Sequence, residues 1–385
     1  MVDVERHYGR GGVLDAILQA LRGMGKDVAR LVPADLAPVD QFHIRGREAT
    51  VQLVRRASLA PGSRVLDVGC GLGGSARYLA AEHRCRVTGI DLTGEYVDAA
   101  RALAELVGLR EMVEFRQASA LAMPFDARAF DVVWTEHVQM NIADKRAFYR
   151  EIARVLVPRG RLLFHDVFQG EGGPVHYPVP WAEEASISFL ATPDAVREIL
   201  EGLGFSILDW EDTTQRSLDW FASVLDRLNV SGPPPLGTHL LMGETARAKV
   251  ENIVRNLRER RIVVVQAVAE RKEPSVSTPQ SATTARSEVR QVAPKLIELS
   301  ETVLYGDVWE RPGLSKRDRS LITVAALVAM YRGDQLPIHL ERALGNGVTR
   351  EEIGELITHL AFYAGWPAAM SAGRVARKVF DEGKP

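Results

Sequence analysis

Through most of the chain, short apolar runs rich in β-branched residues alternate with longer stretches of helical period; towards the C-terminus only the helical period remains. The strand-like runs are Arg64–Val68, Arg86–Ile90, Val113–Arg116, Phe130–Trp134, Leu162–Asp166, Phe205–Asp209 and Ile262–Val268. Helical patterns fall between them at Ser75–Glu82, Tyr96–Leu106, Asp144–Leu156 and, after a Thr192 cap with Pro193 in the first turn, Asp194–Leu203. Seven strands with crossover helices predict an α/β doubly wound, seven-stranded Rossmann-like sheet. Residues 1–50 read as largely helical.

Over 272–287 nine of sixteen residues are Ser, Thr or Pro and no period survives, which predicts a linker. Beyond it, Ser315-Lys316-Arg317-Asp318 and Thr349-Arg350-Glu351-Glu352 open helices with capping-box-like starts. Ile353, Leu356, Ile357 and Leu360 make one apolar stripe that needs a partner. Asn346-Gly347 is a turn, and Gly365-Trp366-Pro367 separates this helix from a last one over Ala368–Phe380. The expected organisation is an α/β domain over 1–271, a linker over 272–287 and an all-α domain over 288–385.

Charge removes some partners. Lys+Arg 48 against Asp+Glu 50 leaves a net −2, too little field to gather nucleic acid or an anionic membrane surface. No apolar run approaches the roughly 18–20 residues of a membrane span, and Met1–His7 lacks a basic-then-apolar leader pattern. Cys70 and Cys85 are too few for a disulfide scaffold and read as small buried hydrophobes, so a cytoplasmic protein is expected.

Gly69, Gly71 and Gly74 fit G-x-G-x-x-G between a strand and a helix, a turn whose backbone comes close to a ligand at a helix N-terminus. Asp67 lies inside the preceding strand, and Asp91 ends the next one, where a carboxylate accepts from both hydroxyls of a ribose. That arrangement serves NAD and S-adenosylmethionine alike, and the spacing alone leaves a dinucleotide oxidoreductase open.

The ordered set Val65-Leu66-Asp67-Val68-Gly69-Cys70-Gly71-Leu72-Gly73-Gly74, Val87-Thr88-Gly89-Ile90-Asp91-Leu92, Met123-Pro124-Phe125 with Phe130-Asp131-Val132-Val133-Trp134, and Arg154-Val155-Leu156-Val157-Pro158-Arg159-Gly160-Arg161-Leu162 resembles the class I S-adenosylmethionine-dependent methyltransferases over roughly residues 40–270. It is most similar to small-molecule enzymes of the sarcosine/dimethylglycine N-methyltransferase type. The resemblance implies S-adenosyl-L-methionine as cofactor, with Asp67, Gly69, Gly71, Gly73, Asp91, Leu92, Ser119, Ala120 and Glu136 around it. Ser119 stands where the family usually has an acidic residue for the adenine amino group, and Pro158-Arg159-Gly160 replaces a Pro-Gly-Gly turn. The resemblance also implies an N-terminal helical lid over about 1–55.

Methyl transfer chiefly requires alignment of nucleophile, carbon and leaving sulfur in a water-poor pocket, with a base where the acceptor carries a proton. His137, after the fourth strand, fits that base or, equally, a loop cap; Glu136 and Gln139 are its polar neighbours, and His165 and Asp166 stand behind it. Arg45, in Gln41-Phe42-His43-Ile44-Arg45-Gly46, fits a carboxylate clamp or a surface ion pair. Gln41, His43, Arg45, Gln139 and Tyr177 are the expected substrate contacts, Tyr177 through the covering segment His176–Trp181.

Residues 288–383 resemble the carboxymuconolactone decarboxylase family through Leu314–Ile322, Leu336–Ala343, Gly345–Ile353 and Ala361–Ala369. This tail has no cysteine, which excludes the thiol chemistry of some members. The resemblance implies His339 as the site histidine of a cofactor-independent decarboxylase, with Arg319, Glu341 and Arg342 as orienting groups, and assembly as a homo-oligomer, trimer or hexamer. A purely assembling tail, with His339 an interior histidine, stays open. No metal is expected. The function expected is a bifunctional biosynthetic enzyme that methylates a small carboxylate-bearing metabolite and decarboxylates a related acid. The alternatives are a monofunctional methyltransferase with a structural tail, an NAD-dependent oxidoreductase and a non-catalytic S-adenosylmethionine sensor.

Overall fold

The structure is a computed structural model and describes residues 2–9, 11–57, 59–273 and 289–382. It divides into two compact units, Met1–Glu273 and Pro274–Pro385. Of the linker expected over 272–287, only Lys272 and Glu273 lie within the described residues.

Unit one is built on a seven-stranded sheet of β1 (Arg64–Val68), β2 (Arg86–Asp91), β3 (Val113–Gln117), β4 (Phe130–Glu136), β5 (Leu156–Gln169), β6 (Phe205–Asp212) and β7 (Ile262–Arg271), in the order β3-β2-β1-β4-β5-β7-β6. β1 to β5 run parallel. The doubly wound expectation is refined at one edge, where β7 slots antiparallel between β5 and β6. The Pro158-Arg159-Gly160 turn is retained as an irregularity inside β5: pairing jumps from Phe130↔Leu156 to Val132↔Arg161, and Arg159 takes φ 60.

The two faces of β1 and β4 feed different cores. Leu66, Val68 and Val133 pack with Phe148, Ile152 and Leu200 of the helices Lys145–Val155 and Pro193–Gly202. Val65, Val132 and Trp134 pack with Leu53, Leu79 and Val97 of the helices Arg47–Arg55, Gly74–His83 and Gly94–Leu106. Alternation along the strand therefore puts Asp67 and Glu136 on the second face, under those helices. The strand order reverses between β2-β1 and β4, and a ligand crevice is expected at the carboxyl ends there. Before β1 the chain forms the helices Val2–Tyr8, Val13–Gly23, Pro33–Asp40 and Arg47–Arg55.

Unit two, within its described residues, is helical throughout: Pro294–Leu299, a wider π-type segment Ser300–Val308, then Lys316–Ala329, Leu336–Gly345, Arg350–Ala364 and Trp366–Glu382. Ser315 Oγ caps the backbone N–H of Asp318 at 3.0 Å. Thr349 and Glu352 close a reciprocal capping box at 3.2 and 2.9 Å. Ile353 and Ile357 are buried against Val324, Leu340 and Ala372, while Leu356 and Leu360 pack at the edge of that core. Gly365, at φ 88, breaks the helix, and the last helix starts at Trp366, earlier than expected.

Candidate functional site

A cavity of about 1650 Å³ opens at the carboxyl ends of β1, β2 and β4. Asp67, Gly69, Gly71, Asp91, Leu92, Ser119, Ala120, Glu136 and His137 are all in its wall, as are Gln41, His43 and Arg45 from the segment before β1.

The glycine loop needs its glycines for different reasons. Gly69 has φ 71, and a Cβ there would run into the Val138 side chain. Gly74 opens the following helix against the backbone of Asp40, which a Cβ would displace. Asp91 accepts the Gly71 N–H through Oδ2 and the Thr93 N–H through Oδ1, each at 2.9 Å, so the carboxylate is fixed with lone pairs left for a ligand. Burial raises its pKa. Burial, and then the charges of Glu136 and Asp91, push Asp67 well above the usual carboxylate range. A wall with Asp67, Asp91 and Glu136 together suits a cationic ligand that carries ribose hydroxyls, and S-adenosylmethionine is one.

A polar row crosses four strands on the same face: Glu136 of β4 pairs with His165 of β5, His165 with Gln266 of β7, and Gln266 with Glu211 of β6. The segment before β1 bonds to every member. Thr50 Oγ1 donates to Glu136 at 3.1 Å, His165 Nε2 to the Ile44 carbonyl at 2.9 Å, and Gln266 Nε2 to the Ala49 carbonyl at 2.9 Å, while Arg56 ion-pairs with Glu211. Glu136 also takes the Trp134 indole N–H at 2.8 Å and the Ser75 hydroxyl, and His43 Nε2 stands 3.4 Å away. Gln41, His43, Thr50, Ser75 and Glu136 thus form one buried network.

His43, His137 and His165 stack edge to face or tilted, with ring centroids 5.1 to 6.0 Å apart. His137 sits at φ 53, sparsely populated for a residue with a Cβ, and among the described residues its Nε2 receives only a long 3.4 Å bond from the Ile44 N–H. Burial, then His165 and His43, hold its pKa well below the usual value, so the imidazole is neutral at physiological pH. It stands in the cavity wall, and the one lone pair of its neutral ring, on Nε2, is held by that long bond alone among the described residues, so a proton-bearing acceptor has only this weak bond to displace.

Arg45 is buried at 1% exposure, also with positive φ. Nη1 donates to Gln52 at 2.8 Å, whereas Nε and Nη2, one edge of the guanidinium fork, have no partner among the described residues. The surface ion pair weighed from sequence is reduced to Glu48 at 3.7 Å.

Three expected contacts lie outside the cavity wall. Gly73 takes φ 77 behind the loop, where a Cβ would meet Phe115 at 2.5 Å, so it serves the turn. Gln139 is buried with its amide on the Val167 carbonyl at 2.8 Å. Tyr177 packs on the apolar cluster of Val179 and Trp181. Asp166 accepts from the backbone N–H groups of Val138 and Gln139 at 3.1 Å and of Val167 at 2.9 Å, which makes it the clamp of the loop bearing His137. Lys145, unremarked in sequence, is buried with Nζ on the carbonyls of Gln139, Ile142 and Phe189 and ties that loop to the next. Thr50, Ser75 and Trp134 were also missed; period-two alternation placing Trp134 and Glu136 on one face was the available signal.

In unit two His339 is half-buried on the helix Leu336–Gly345, and burial and Arg342 lower its pKa. Arg342 stacks on Tyr305, 4.4 Å from the ring centre, and on Trp309 at 5.6 Å; its Nη1 is buried with no partner among the described residues. No helix among the described residues is long and apolar enough to cross a membrane.

Residues 66–164 match the methyltransferase domain family model, and 294–378 match the carboxymuconolactone decarboxylase family. The sarcosine/dimethylglycine N-methyltransferase of Halorhodospira halochloris is 30% identical over 216 residues, 56% of this chain and 76% of that protein. A glycine/sarcosine/dimethylglycine N-methyltransferase of Actinopolyspora halophila is 30% identical over 54% of this chain, which spans only 37% of that relative. The 4-carboxymuconolactone decarboxylase of Acinetobacter baylyi is 47% identical over 78 residues, 20% of this chain and 58% of that protein. Among solved structures, a phosphoethanolamine N-methyltransferase of Haemonchus contortus superposes with TM-score 0.55 at 19% identity, covering 71% of this chain and 61% of that one, a likeness of fold. The chain belongs to the S-adenosylmethionine-dependent methyltransferases and carries, behind that domain, a domain of the carboxymuconolactone decarboxylase family.

Proposed function

We propose that unit one transfers the methyl group of S-adenosylmethionine to a small-molecule metabolite bearing a carboxylate, and that unit two decarboxylates an acid of the same biosynthetic route. The observation that carries the first half is the unspent fork of Arg45, a residue of the cofactor-cavity wall whose side chain is wholly covered, so that an acceptor carboxylate meets it on a shift of that covering. A buried guanidinium edge without a partner costs free energy that a bidentate carboxylate would recover. The bound cofactor supplies an electrophilic methyl group. The chain fixes its ribose at Asp91, excludes water with the segment before β1, and offers neutral His137 to take a proton from the acceptor atom.

For unit two, the support is His339 one turn from Arg342, whose guanidinium lies over the rings of Tyr305 and Trp309. Such a pair suits an acid whose carboxylate leaves as carbon dioxide, the electron pair passing into the acid's own sink before protonation. A second reading, a tail that only assembles a cytoplasmic trimer or hexamer, is favoured by Phe362, Tyr363 and Trp366, exposed at 76%, 78% and 63%.

The test uses the whole chain with methyl-labelled S-adenosylmethionine and a panel of carboxylic acids, following methylated product and carbon dioxide together by mass spectrometry. Both products, with carbon dioxide lost in His339→Ala, support two active sites. Methylation without carbon dioxide from any substrate or product supports the assembling tail.

A further inference from the structure

The cavity exceeds the needs of the cofactor. Its 1650 Å³ compares with roughly 300–1,000 Å³ for an ordinary ligand site, so a second chamber adjoins the glycine loop. Two helices after β6, Thr214–Ser231 and Ala246–Arg258, wall that chamber.

Trp220, Phe221, Val224, Leu225 and Leu228 recur at helical spacing on one face of the first helix, and all are in the cavity wall. Phe221 is buried, whereas Trp220, Val224, Leu225 and Leu228 are only half covered by protein. Phe221 belongs to the core cluster of Trp181 and Ile253, and Trp220 and Leu225 pack against it, yet the surface these two leave uncovered, with Val224 and Leu228, lines a space continuous with the cofactor site. Val250 and Ile253 of the second helix extend the apolar wall, and Met140, Trp181 and Phe189, near the loop of His137, continue it. The charged members on these two helices, Arg227, Arg247 and Glu251, are exposed, which places them at the mouth.

We propose that the methyl acceptor is a bulky, predominantly apolar acid whose hydrophobic body fills this chamber, rather than a compact zwitterion of the sarcosine kind. The inference rests on the methyl-transfer reading above and narrows its substrate. A zwitterion the size of sarcosine would leave water against Trp220, Val224 and Leu225, whereas a fused-ring or branched aliphatic body replaces that water and keeps the reacting end beside Arg45 and His137.

The experiment titrates the full chain, saturated with S-adenosylhomocysteine, with 2-naphthoate by calorimetry, and repeats it with Val224→Trp and Leu225→Trp, which fill the chamber from partly exposed helical positions. Expected are saturable 2-naphthoate binding that a hundredfold excess of sarcosine does not displace, and at least a tenfold loss of affinity in either variant with S-adenosylhomocysteine affinity unchanged. Naphthoate affinity equal in wild type and both variants, or displacement by sarcosine, overturns the proposal. Failure of the wild type to bind S-adenosylhomocysteine overturns the methyl-transfer reading instead, so the two failures are separable.

Discussion

Arg77 of the helix after the glycine loop donates to Asp40, the last residue of the helix Pro33–Asp40, at 2.7 Å with both side chains buried. This pair ties the segment that closes the cavity to the helix that bears the cofactor loop. Removing one partner strands a buried charge, at a cost of about 3–5 kcal/mol. Asp40→Ala is therefore expected to destabilise unit one by that amount in denaturant unfolding and to weaken S-adenosylhomocysteine binding. Asp40→Leu combined with Arg77→Met is expected to restore most of the stability, because an apolar pair of similar volume carries no desolvation penalty. A single variant as stable as wild type would refute the coupling.

That pair marks the limit of what the sequence discloses. Asp67, Gly69, Gly71 and Asp91 were legible because one contiguous strand-loop-helix-strand segment holds them, so local spacing fixes their geometry. The row Glu136, His165, Gln266 and Glu211 was not, since strand register rather than sequence distance brings it together and β7 enters antiparallel. For the same reason nothing in the sequence singles out Arg77, whose burial depends on how the helix Pro33–Asp40 packs. The acceptor chamber was illegible because the stripe on Thr214–Ser231 looks like any core-facing stripe until the space it faces is known. Tyr177 and Gln139, close in sequence to the site, lie outside the cavity wall: Gln139 is turned inward onto the Val167 carbonyl, and Tyr177 packs partly buried against an apolar cluster.

Asp91 is expected to contribute to cofactor affinity out of proportion to its share of the fold. Its carboxylate already holds the Gly71 and Thr93 N–H groups, so Asp91→Asn turns an amide donor towards groups that themselves donate. Loss of a charge-assisted bond to ribose amounts to about 1.5–3 kcal/mol, or roughly 10–150-fold in Kd. Calorimetry with S-adenosylhomocysteine measures it directly. A change below threefold would show that the ribose is held elsewhere.

Arg45→Lys separates charge from geometry. Lysine keeps the cation but lacks the planar fork whose Nε and Nη2 edge is unspent, and it cannot serve a carboxylate bidentately. The expected outcome is an acceptor KM raised about tenfold or more, with kcat and the KM for S-adenosylmethionine within about twofold. Equal acceptor KM values in wild type and Arg45→Lys would assign Arg45 to holding Gln52 alone.

The buried histidines and Asp166 pull the pH dependence in opposite directions. Burial raises Asp166 to about 6 from 3.8, despite its three backbone N–H donors. The folded chain therefore binds that proton more tightly than the unfolded one, and the carboxylate costs stability at neutral pH, up to about 3 kcal/mol, a cost that fades as pH falls from about 6 to 3.8. His137 and His165 are both held well below 6.5, chiefly by burial, so below pH 6.5 the unfolded chain takes protons that the folded one refuses and stability is lost. Two histidines against one carboxyl give a net loss on acidification, and Asp166→Asn is expected to steepen it by removing the opposing contribution. The same residues sort the kinetics. His137→Gln is expected to lower kcat by about 10²–10⁴ with S-adenosylhomocysteine affinity unchanged, the range for loss of a general base. An acid limb in kcat near pH 6 that persists in His137→Gln and vanishes in Asp166→Asn would report protonation of the clamp on the His137 loop. Urea midpoints across pH 4–8 and kcat profiles of the three proteins decide the matter, and a His137→Gln enzyme within threefold of wild type would return His137 to a loop-capping role.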